Sequence, residues 1–296
     1  MAALITTDFQ IPNDIAAEIF KKAQSGSALA RLSGARPQKF GQQSTWVLTA
    51  PPKAEIVGEG AEKSPTPTTY APKVIKPFKT QVTMRFSQEV MWADEDTQIG
   101  ILRDLAENAA IALGRALDLA GIHKINPLTG TVSGIITEGL ADTTNKTVLS
   151  GTNYEAAVEA AAGVVIGAGY TPSGIALDPT FSFGVATQKD ADGRRLYPEL
   201  GFGQNITNFL GMNAAVSDTV SAKNEASAAT DMLAIVGQFD AFRWGVQRNI
   251  AAHLIEFGDP DGLGDLQRMN QIAIRAEIVY GIGIMDKAAF AKIMSK

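Results

Sequence analysis

Two stretches in the first third of the chain alternate apolar and polar residues with the period of a half-buried β-strand. In FKTQVTMRF (78–86) the four apolar side chains share one parity, Lys79, Gln81, Thr83 and Arg85 have the other, and STWVLTA (44–50) precedes it. The 28 residues from Ala50, the end of the first stretch, to Pro77 hold six of the chain's 13 prolines. The pattern predicts a long antiparallel hairpin that is closed by a stiff, proline-rich tip.

A hairpin of this kind needs a further surface. Long loops without secondary structure are uncommon in compact domains and are usually functional, and a two-stranded ribbon is marginally stable by itself. The hairpin is also polarised: residues 40–62 hold three acids and one base, whereas residues 63–86 hold five bases and no acid. The basic limb is therefore expected to dock on an acidic surface.

Residues 94–121 show the strongest helical periodicity in the chain, and acids at their start suit the positive end of the helix dipole. Gly121 fits a C-terminal cap. Residues 87–121 hold seven acids and two arginines. An acidic helix beside a basic hairpin limb predicts charge complementarity, within one chain or between copies. The residues predicted to make contacts between subunits are Glu59, Lys63, Lys73, Lys76, Lys79, Arg85, Asp94, Asp96, Asp104 and Glu107.

Residues 1–40 are poor in apolar side chains and predict an arm that must lie against something else, with a short helix that Asn13 or Asp14 caps and Ser25 ends. After residue 126 short elements alternate, which predicts one α+β unit. Its predicted helices are NYEAAVEAAAGVVIGAG and PTFSFGVATQKD, and its predicted strands are GIALD, MNAAVSD and MLAIVG. Two long strands follow, FDAFRWGVQRNIAAHLIEF and NQIAIRAEIVYGIGIM, and then a short helix, DKAAFAKIM.

The composition narrows the class of protein. The chain has 296 residues, 45% of them hydrophobic, which allows one large domain or two smaller ones. It has no cysteine and two histidines, so disulfides are excluded and a histidine metal site or serine-type triad has little to draw on. A net charge of −5 argues against a protein that grips DNA phosphates. Without a signal-peptide pattern or an apolar run of about 18 residues, we expect a soluble product made in the cytoplasm.

No stretch of the sequence carries a convincing catalytic or cofactor motif. GAGYTPSG has proline where a dinucleotide-binding loop needs its third glycine. DPDGLGD (259–265) resembles a calcium loop, but Leu263 and Asn270 occupy two ligand positions, which leaves only a loose surface cation site open. His123 follows the expected end of the acidic helix and is interpreted as a partner of its dipole. We therefore expect no cofactor, no metal and no enzymatic activity.

Four passages, in this order, resemble the major capsid protein of tailed double-stranded DNA bacteriophages, which has the Hong Kong 97-type capsid fold. The first is DPTFSFGVATQKDADGRRLYPEL, with the family's KDADGR at residues 189–194. FLGMNAAVSDTV has Asn213 where the family pattern has proline, and AIVGQFDAFRWGVQRNIAAHLIE has Gln238 in place of aspartate. The last passage is IAIRAEIVYGIGIMDKAAFAKI.

This resemblance implies an α+β, Hong Kong 97-like fold with a definite division of the chain. The parts that it implies are an N-terminal arm (1–40), an extended two-stranded E-loop (41–86), a peripheral domain with a long spine helix (87–125 and 236–280) and an α+β axial domain (126–235 and 281–296).

The same resemblance implies a structural function. Copies of the chain are expected to form pentamers and hexamers of an icosahedral shell that encloses double-stranded DNA without reading its sequence. Assembly in the host cytoplasm with a separate scaffolding protein and a portal is expected, in a virion and without a membrane. Some members cross-link an E-loop lysine to a neighbour's asparagine; Lys63 is the candidate here, and no partner asparagine is identifiable. The alternatives are an encapsulin-type nanocompartment shell and an unrelated α+β enzyme.

Overall fold

The computed structural model describes residues 26–39, 41–50, 52–66, 68–92 and 95–296. Within these ranges the α-helices are α1 (Ala28–Leu32), α2 (Glu95–His123), α3 (Tyr154–Gly167) and α4 (Pro179–Ala186). The strands are β1 (Gln43–Ala50), β2 (Thr69–Ser87), β3 (Ile125–Asn126), β4 (Thr131–Val132), β5 (Lys146–Val148), β6 (Gly174–Leu177), β7 (Asn208–Phe209), β8 (Met212–Val216), β9 (Met232–Gly237), β10 (Phe242–Ile255), β11 (Gln271–Ile284) and β12 (Phe290–Met294).

The first sheet is antiparallel and has the strand order β1-β2-β11-β10. Strand β2 has 19 residues and uses them for two different partners. Residues 69–75 pair with β1, and residues 76–87 pair with β11. The first part of β2 therefore continues past β11 as a two-stranded extension. We call β1, residues 69–75 and the tip between them the ribbon.

The second sheet has six strands in the order β5-β12-β9-β6-β8-β7. Helices α3 and α4 cover it, and a core of apolar side chains lies between the layers, including Val158, Val165, Ile175, Phe181 and Val236. Asn153 and Asp178 cap the two helices by accepting bonds from Ala156 N and Thr180 N. This half of the chain is the α+β unit that the alternating elements predicted.

Helix α2 has 29 residues and is therefore about 43 Å long. Its C-terminal half is buried, with Leu113 and Leu117 in one core with Trp244 of β10 and Tyr280 of β11. The Tyr280 hydroxyl donates to the Leu113 carbonyl at 3.3 Å, which ties the helix to the first sheet. The N-terminal half exposes more side chains, among them Asp104 and Glu107.

Residues 26–39, here called the arm segment, pack on the chain's own core. Ser27 caps α1, and Ala28 and Leu29 are buried. Farther along, Ala35 forms a parallel bridge with Trp244. The expectation that residues 1–40 need an outside surface is thus wrong for this part, because α2 and β10 supply the surface. The helix predicted between Asn13 and Ser25 lies outside the described residues.

The hairpin is longer in strand and shorter in loop than predicted. Strand β2 begins at Thr69 instead of Phe78, so the connection from β1 covers residues 51–68. Proline was taken as a sign of loop, but β2 contains Pro72 and Pro77. Each part of β2 pairs with a single neighbouring strand. A proline, which has no N–H, is therefore tolerated on the side of β2 that faces no strand, because no ladder hydrogen bond is lost there.

The closing segment is a strand and not the predicted helix. DKAAFAKIM forms a 3₁₀ turn, Lys287–Ala289, and then β12. Strand β12 lies between β5 and β9, and Phe290, Ala291 and Ile293 are buried there. Ladder pairing and burial thus override the helix preference of the alanines.

Helix α2 also continues through Gly121 to His123, and Lys124, with φ of 61°, takes the left-handed position after it. Gly121 is needed for close packing, since a Cβ there would lie 2.6 Å from Leu29 Cδ1. His123 is buried and donates from Nε2 to the Val220 carbonyl at 2.8 Å. Burial lowers the pKa of His123, so a charged dipole partner is the wrong interpretation.

Candidate assembly interface

One face of the ribbon is apolar and exposed. Trp46 lies opposite Pro72 and Leu48 opposite Tyr70, and directly opposed residues of an antiparallel pair point to the same face. Trp46 is 67% exposed and Tyr70 55% exposed, and Leu48 and Val74 are exposed as well. Large apolar side chains are usually buried. The described part of the chain therefore leaves an apolar surface on the ribbon uncovered; we call it the ribbon face.

The base of the ribbon is fixed to the rest of the chain. Ile75 of β2 is buried. A Cβ at Gly283 of β11 would lie 2.6 Å from Cγ1 of Ile75, so β2 and β11 pack closely there. Lys73 donates from Nζ to Glu138 at 3.2 Å, and Lys287 approaches the same carboxylate at 3.7 Å. These contacts hold the base, so the rest of the ribbon projects from a firm attachment.

Hydrogen bonds cross the tip of the ribbon even though it contains no strand. The Glu55 carboxylate accepts from Ser64 N at 3.0 Å and from Ser64 Oγ at 3.2 Å. Thr66 Oγ1 donates to the Lys53 carbonyl at 3.1 Å. At the tip Ile56 is fully exposed, at 102% of its reference area. The tip thus presents an apolar side chain on a loop that its own polar groups close.

Most of the predicted basic contact residues find partners inside the chain. Lys73 pairs with Glu138, Lys79 with Glu277 at 3.1 Å, and Arg85 with Asp259 and Asp261. These partners lie on the segment after β4, on β11 and on the β10–β11 loop rather than on the acidic helix. Lys63 and Lys76 are exposed, and no ion pair joins either of them to another described residue.

The ion pairs of Lys73, Lys79 and Arg85 within the described residues involve none of the predicted acidic contact residues. Glu59 is exposed at the tip, and Asp104 and Glu107 are exposed on the N-terminal half of α2. Asp96 lies in the first turn of α2, and Asp94 lies outside the described residues. The chain therefore does not bring the basic limb and the acidic helix together in the ion pairs described above, and the proposed contact between copies stays a prediction.

Sequence reasoning missed two features, the ribbon face and Asp118. The ribbon face had a signal, because Trp46 and Leu48 share one parity, and so do Tyr70 and Val74. Pro72, which lies between Tyr70 and Val74, masked that pattern.

Asp118 lies fully buried on α2 and anchors the arm segment. Its carboxylate accepts bonds from Ser27 Oγ (2.5 Å), Ala28 N (2.9 Å), Leu29 N (3.0 Å) and Thr219 Oγ1 (3.0 Å). It caps the first turn of α1 from another helix. Burial raises the pKa of the Asp118 carboxyl, and the four bonds oppose that rise.

Other kinds of site find no support among the described residues. They contain no group of three or more His, Asp or Glu side chains placed to hold a metal ion. No helix among them is long and apolar enough to cross a bilayer.

Comparison with known proteins identifies the family. The model of the phage capsid family matches residues 7–294, nearly the whole chain. No curated protein matches it significantly. A solved structure from Mycobacterium phage Ogopogo is 50% identical with a TM-score of 0.82, over 90% of this chain and 91% of that one. One from Gordonia phage Cozz is 33% identical with a TM-score of 0.78, over 90% and 86% of the two chains.

A more distant structure, described as "Capsid of empty GTA particle computed with C5 symmetry", is 15% identical with a TM-score of 0.65 over 91% of this chain and 89% of that one, and shows the fold alone. The family match and the two closer structures agree with the mixed helix-and-sheet architecture. The chain belongs to the phage capsid family, and it is a structural shell protein rather than an enzyme.

Proposed function

We propose that the chain is the self-assembling major capsid protein of a tailed bacteriophage, and that its copies form the pentamers and hexamers of an icosahedral shell around double-stranded DNA. The observation that carries this proposal is the ribbon face, with Trp46 and Tyr70 each more than half exposed on a ribbon that is fixed at its base.

The resemblance to the Hong Kong 97-type fold gives each part of the chain a role in the shell. We assign residues 1–40 to the N-terminal arm, 41–86 to the E-loop, 87–125 and 236–280 to the peripheral domain with α2 as its spine helix, and 126–235 and 281–296 to the axial domain. The strand order supports this division, since the six-stranded sheet takes its strands from residues 146–237 and 290–294.

The ribbon face supplies the main attraction between neighbouring subunits in this proposal. Lys73, Lys79 and Arg85 are already paired within the chain, which leaves Lys63 and Lys76 for a neighbour's carboxylates such as Asp104. Exposed ion pairs contribute little, about 0–1 kcal/mol each, whereas burying one large apolar side chain contributes about 1.5–3 kcal/mol. Many copies of a weak contact then hold a closed shell by repetition.

Further partners remain predictions that follow from this role. The shell is expected to enclose DNA without sequence-specific contacts, in keeping with the net charge of −5. Assembly with a separate scaffolding protein and a portal in the host cytoplasm, and cross-linking through Lys63, are further expectations.

Replacing the aromatic residues of the ribbon face tests the proposal. The double variant Trp46→Ser/Tyr70→Ser removes two large exposed side chains and leaves the ion pairs at the base. We expect the protein concentration needed for assembly, measured by sedimentation and electron microscopy, to rise about tenfold or more. The unfolding temperature of the dissociated subunit should stay unchanged.

Leu128→Ser is the matched control, because Leu128 is 91% exposed on the turn between β3 and β4 and is not part of the ribbon. Normal shells from the double variant at the wild-type concentration would contradict the proposal. Purified wild-type particles should also protect DNA from nuclease. Particles that contain a cargo enzyme and no DNA would favour an encapsulin-type shell instead.

A further inference from the structure

The loop between β10 and β11 has the acceptors of a cation loop, and an arginine fills it. Arg85 of β2 donates from Nε to Asp261 Oδ2 at 2.7 Å, and from Nη2 to Asp259 Oδ1 and to the Gly264 carbonyl, both at 2.9 Å. Its side chain is only 10% exposed. Carboxylate and carbonyl oxygens are the ligands that hard cations prefer. The guanidinium therefore occupies the place that the sequence left open for a loose cation.

The same two carboxylates shape the backbone of the loop. Asp259 accepts from Gly262 N at 2.8 Å and from Gly264 N at 3.1 Å, and Asp261 accepts from Leu263 N at 3.3 Å. Gly262 and Gly264 have φ of 81° and 106°, which favours glycine. Two carboxylates turned inward repel one another unless a cation lies between them. The Arg85 hydrogen bond lowers the pKa of Asp261, so Arg85 favours its charged form.

The loop is anchored at its centre and apolar at its surface. Leu266 is fully buried and donates from its backbone N to the Gly258 carbonyl at 2.9 Å. Around it, Phe257, Leu263 and Met269 are 65%, 68% and 51% exposed. A Cβ at Gly264 would lie 2.9 Å from Met269 Cε, so Met269 lies against the turn that Arg85 holds. Because Arg85 neutralises the inward carboxylates, the loop presents these apolar side chains with less charge beside them.

We propose that Arg85 is a positioning residue for shell assembly: its guanidinium acts as the internal cation of the β10–β11 loop, residues 256–270, and holds it in the shape that presents Phe257, Leu263 and Met269 to a second copy of this chain. This inference rests on the proposed shell function. A second copy is the occupant because Arg85 lies on β2, the strand that continues into the ribbon through which copies of the chain are proposed to meet. Arg85 thus connects the loop to the strand of the ribbon face.

The variant Arg85→Gln tests the inference, because it removes the charge and keeps some hydrogen-bonding capacity. We expect the amides of Gly262, Leu263 and Gly264 to exchange with solvent about tenfold faster or more, while amides of the six-stranded sheet are unaffected. The concentration needed for assembly should rise about tenfold. Arg85→Lys should recover part of the assembly. Arg194→Gln is the charge-matched control, on an exposed loop, and should match the wild type.

Two further variants separate the steps. Asp259→Asn/Asp261→Asn removes the loop's half of the contact without altering β2, and should repeat both effects even if Arg85→Gln does not fold. Leu263→Ser/Met269→Ser should impair assembly while the loop amides stay protected. Protected loop amides in Arg85→Gln, or normal assembly despite fast exchange, would overturn the inference. If the wild type forms no shells, the proposed function fails instead, and the exchange data still report on Arg85.

Discussion

The arm segment and the ribbon follow one another in the sequence, and both were predicted to need a surface from outside. The chain supplies that surface to only one of them. Ala28 and Leu29 of the arm segment are at most 1% exposed, and the Trp244 indole N–H donates to the Ser33 carbonyl at 3.0 Å. On the ribbon, Trp46 and Tyr70 keep more than half of their surface.

The difference lies in where the backbone N–H and C=O groups of each segment find their hydrogen-bond partners. The arm segment pairs with a strand at one isolated bridge, between Ala35 and Trp244, and the first N–H groups of its helix α1 depend on Asp118 of α2. The ribbon satisfies its own backbone through seven cross-strand residue pairs between β1 and β2. A segment whose backbone depends on the core must fold onto it, because unpaired buried N–H groups are costly. A self-paired ribbon can stay folded while its side chains await a partner.

Asp118→Ala is expected to have the largest effect on the arm segment, because it removes the acceptor that holds this segment to α2. The change leaves two backbone N–H groups and the hydroxyls of Ser27 and Thr219 without their acceptor. Each unsatisfied buried group costs about 1–3 kcal/mol. Removal of the desolvation cost of the buried carboxyl offsets part of that, so we expect the free energy of unfolding to fall by about 3 kcal/mol. Chemical denaturation of the dissociated subunit measures it.

Limited proteolysis of the same variant shows where the loss occurs. Cleavage within the arm segment should become faster, and cleavage at the tip of the ribbon should not change. Asp118→Asn keeps one acceptor oxygen and should lose less. Equal acceleration at both places would show that the two segments are not independent.

A smaller effect is expected from Gly245→Ala in β10, where the arm segment crosses the first sheet. A Cβ at Gly245 would lie 1.8 Å from the Arg36 carbonyl oxygen and 2.7 Å from Gln38 Cγ. The arm segment must move away, which should lower the free energy of unfolding by about 2 kcal/mol. Gly163→Ala is the control, because no atom lies within 4 Å of a Cβ there. In helix α3 it should stabilise the subunit by about 0.5–1 kcal/mol. A neutral Gly245→Ala would mean that the arm segment moves without loss.

Much of the fold was predictable because its signals are local. Periodicity gave α2, α3, β6, β8, β9 and the long strands β10 and β11, since each pattern reports burial within one element. The closing strand β12 was not predictable in this way, because its alanines favour a helix and only the ladder with β5 and β9 decides against it. Pro72 and Pro77 likewise hid the first half of β2, whose tolerance for proline depends on its neighbours.

The position of the ribbon was predictable from the sequence, but the apolar character of its exposed face was not. The alternation and the prolines located the ribbon, and charge counting then chose Lys73, Lys79 and Arg85 as contacts between copies. The structure pairs these three with Glu138, Glu277 and the β10–β11 loop. Lys79 and Glu277 lie 198 residues apart in sequence. Counting charges along the sequence does not show which oppositely charged residues meet at such separations. Because the prediction relied on charge, it overlooked the apolar ribbon face.

The smallest expected effect concerns pH, and it separates the two regions by titration. His123 joins α2 to the 218–220 turn, beside the Asp118 anchor, and burial lowers its pKa below the usual value near 6.5. Below that value the unfolded chain binds a proton that the folded chain does not, so stability falls as the pH drops through this range. His123→Gln can still donate to the Val220 carbonyl but does not titrate. Its unfolding temperature should therefore decline less than that of the wild type between pH 7.5 and pH 5.5. Parallel declines would show that His123 does not contribute. Arm-segment cleavage should follow the same pH trend, and ribbon cleavage should not, because no histidine lies in residues 43–75.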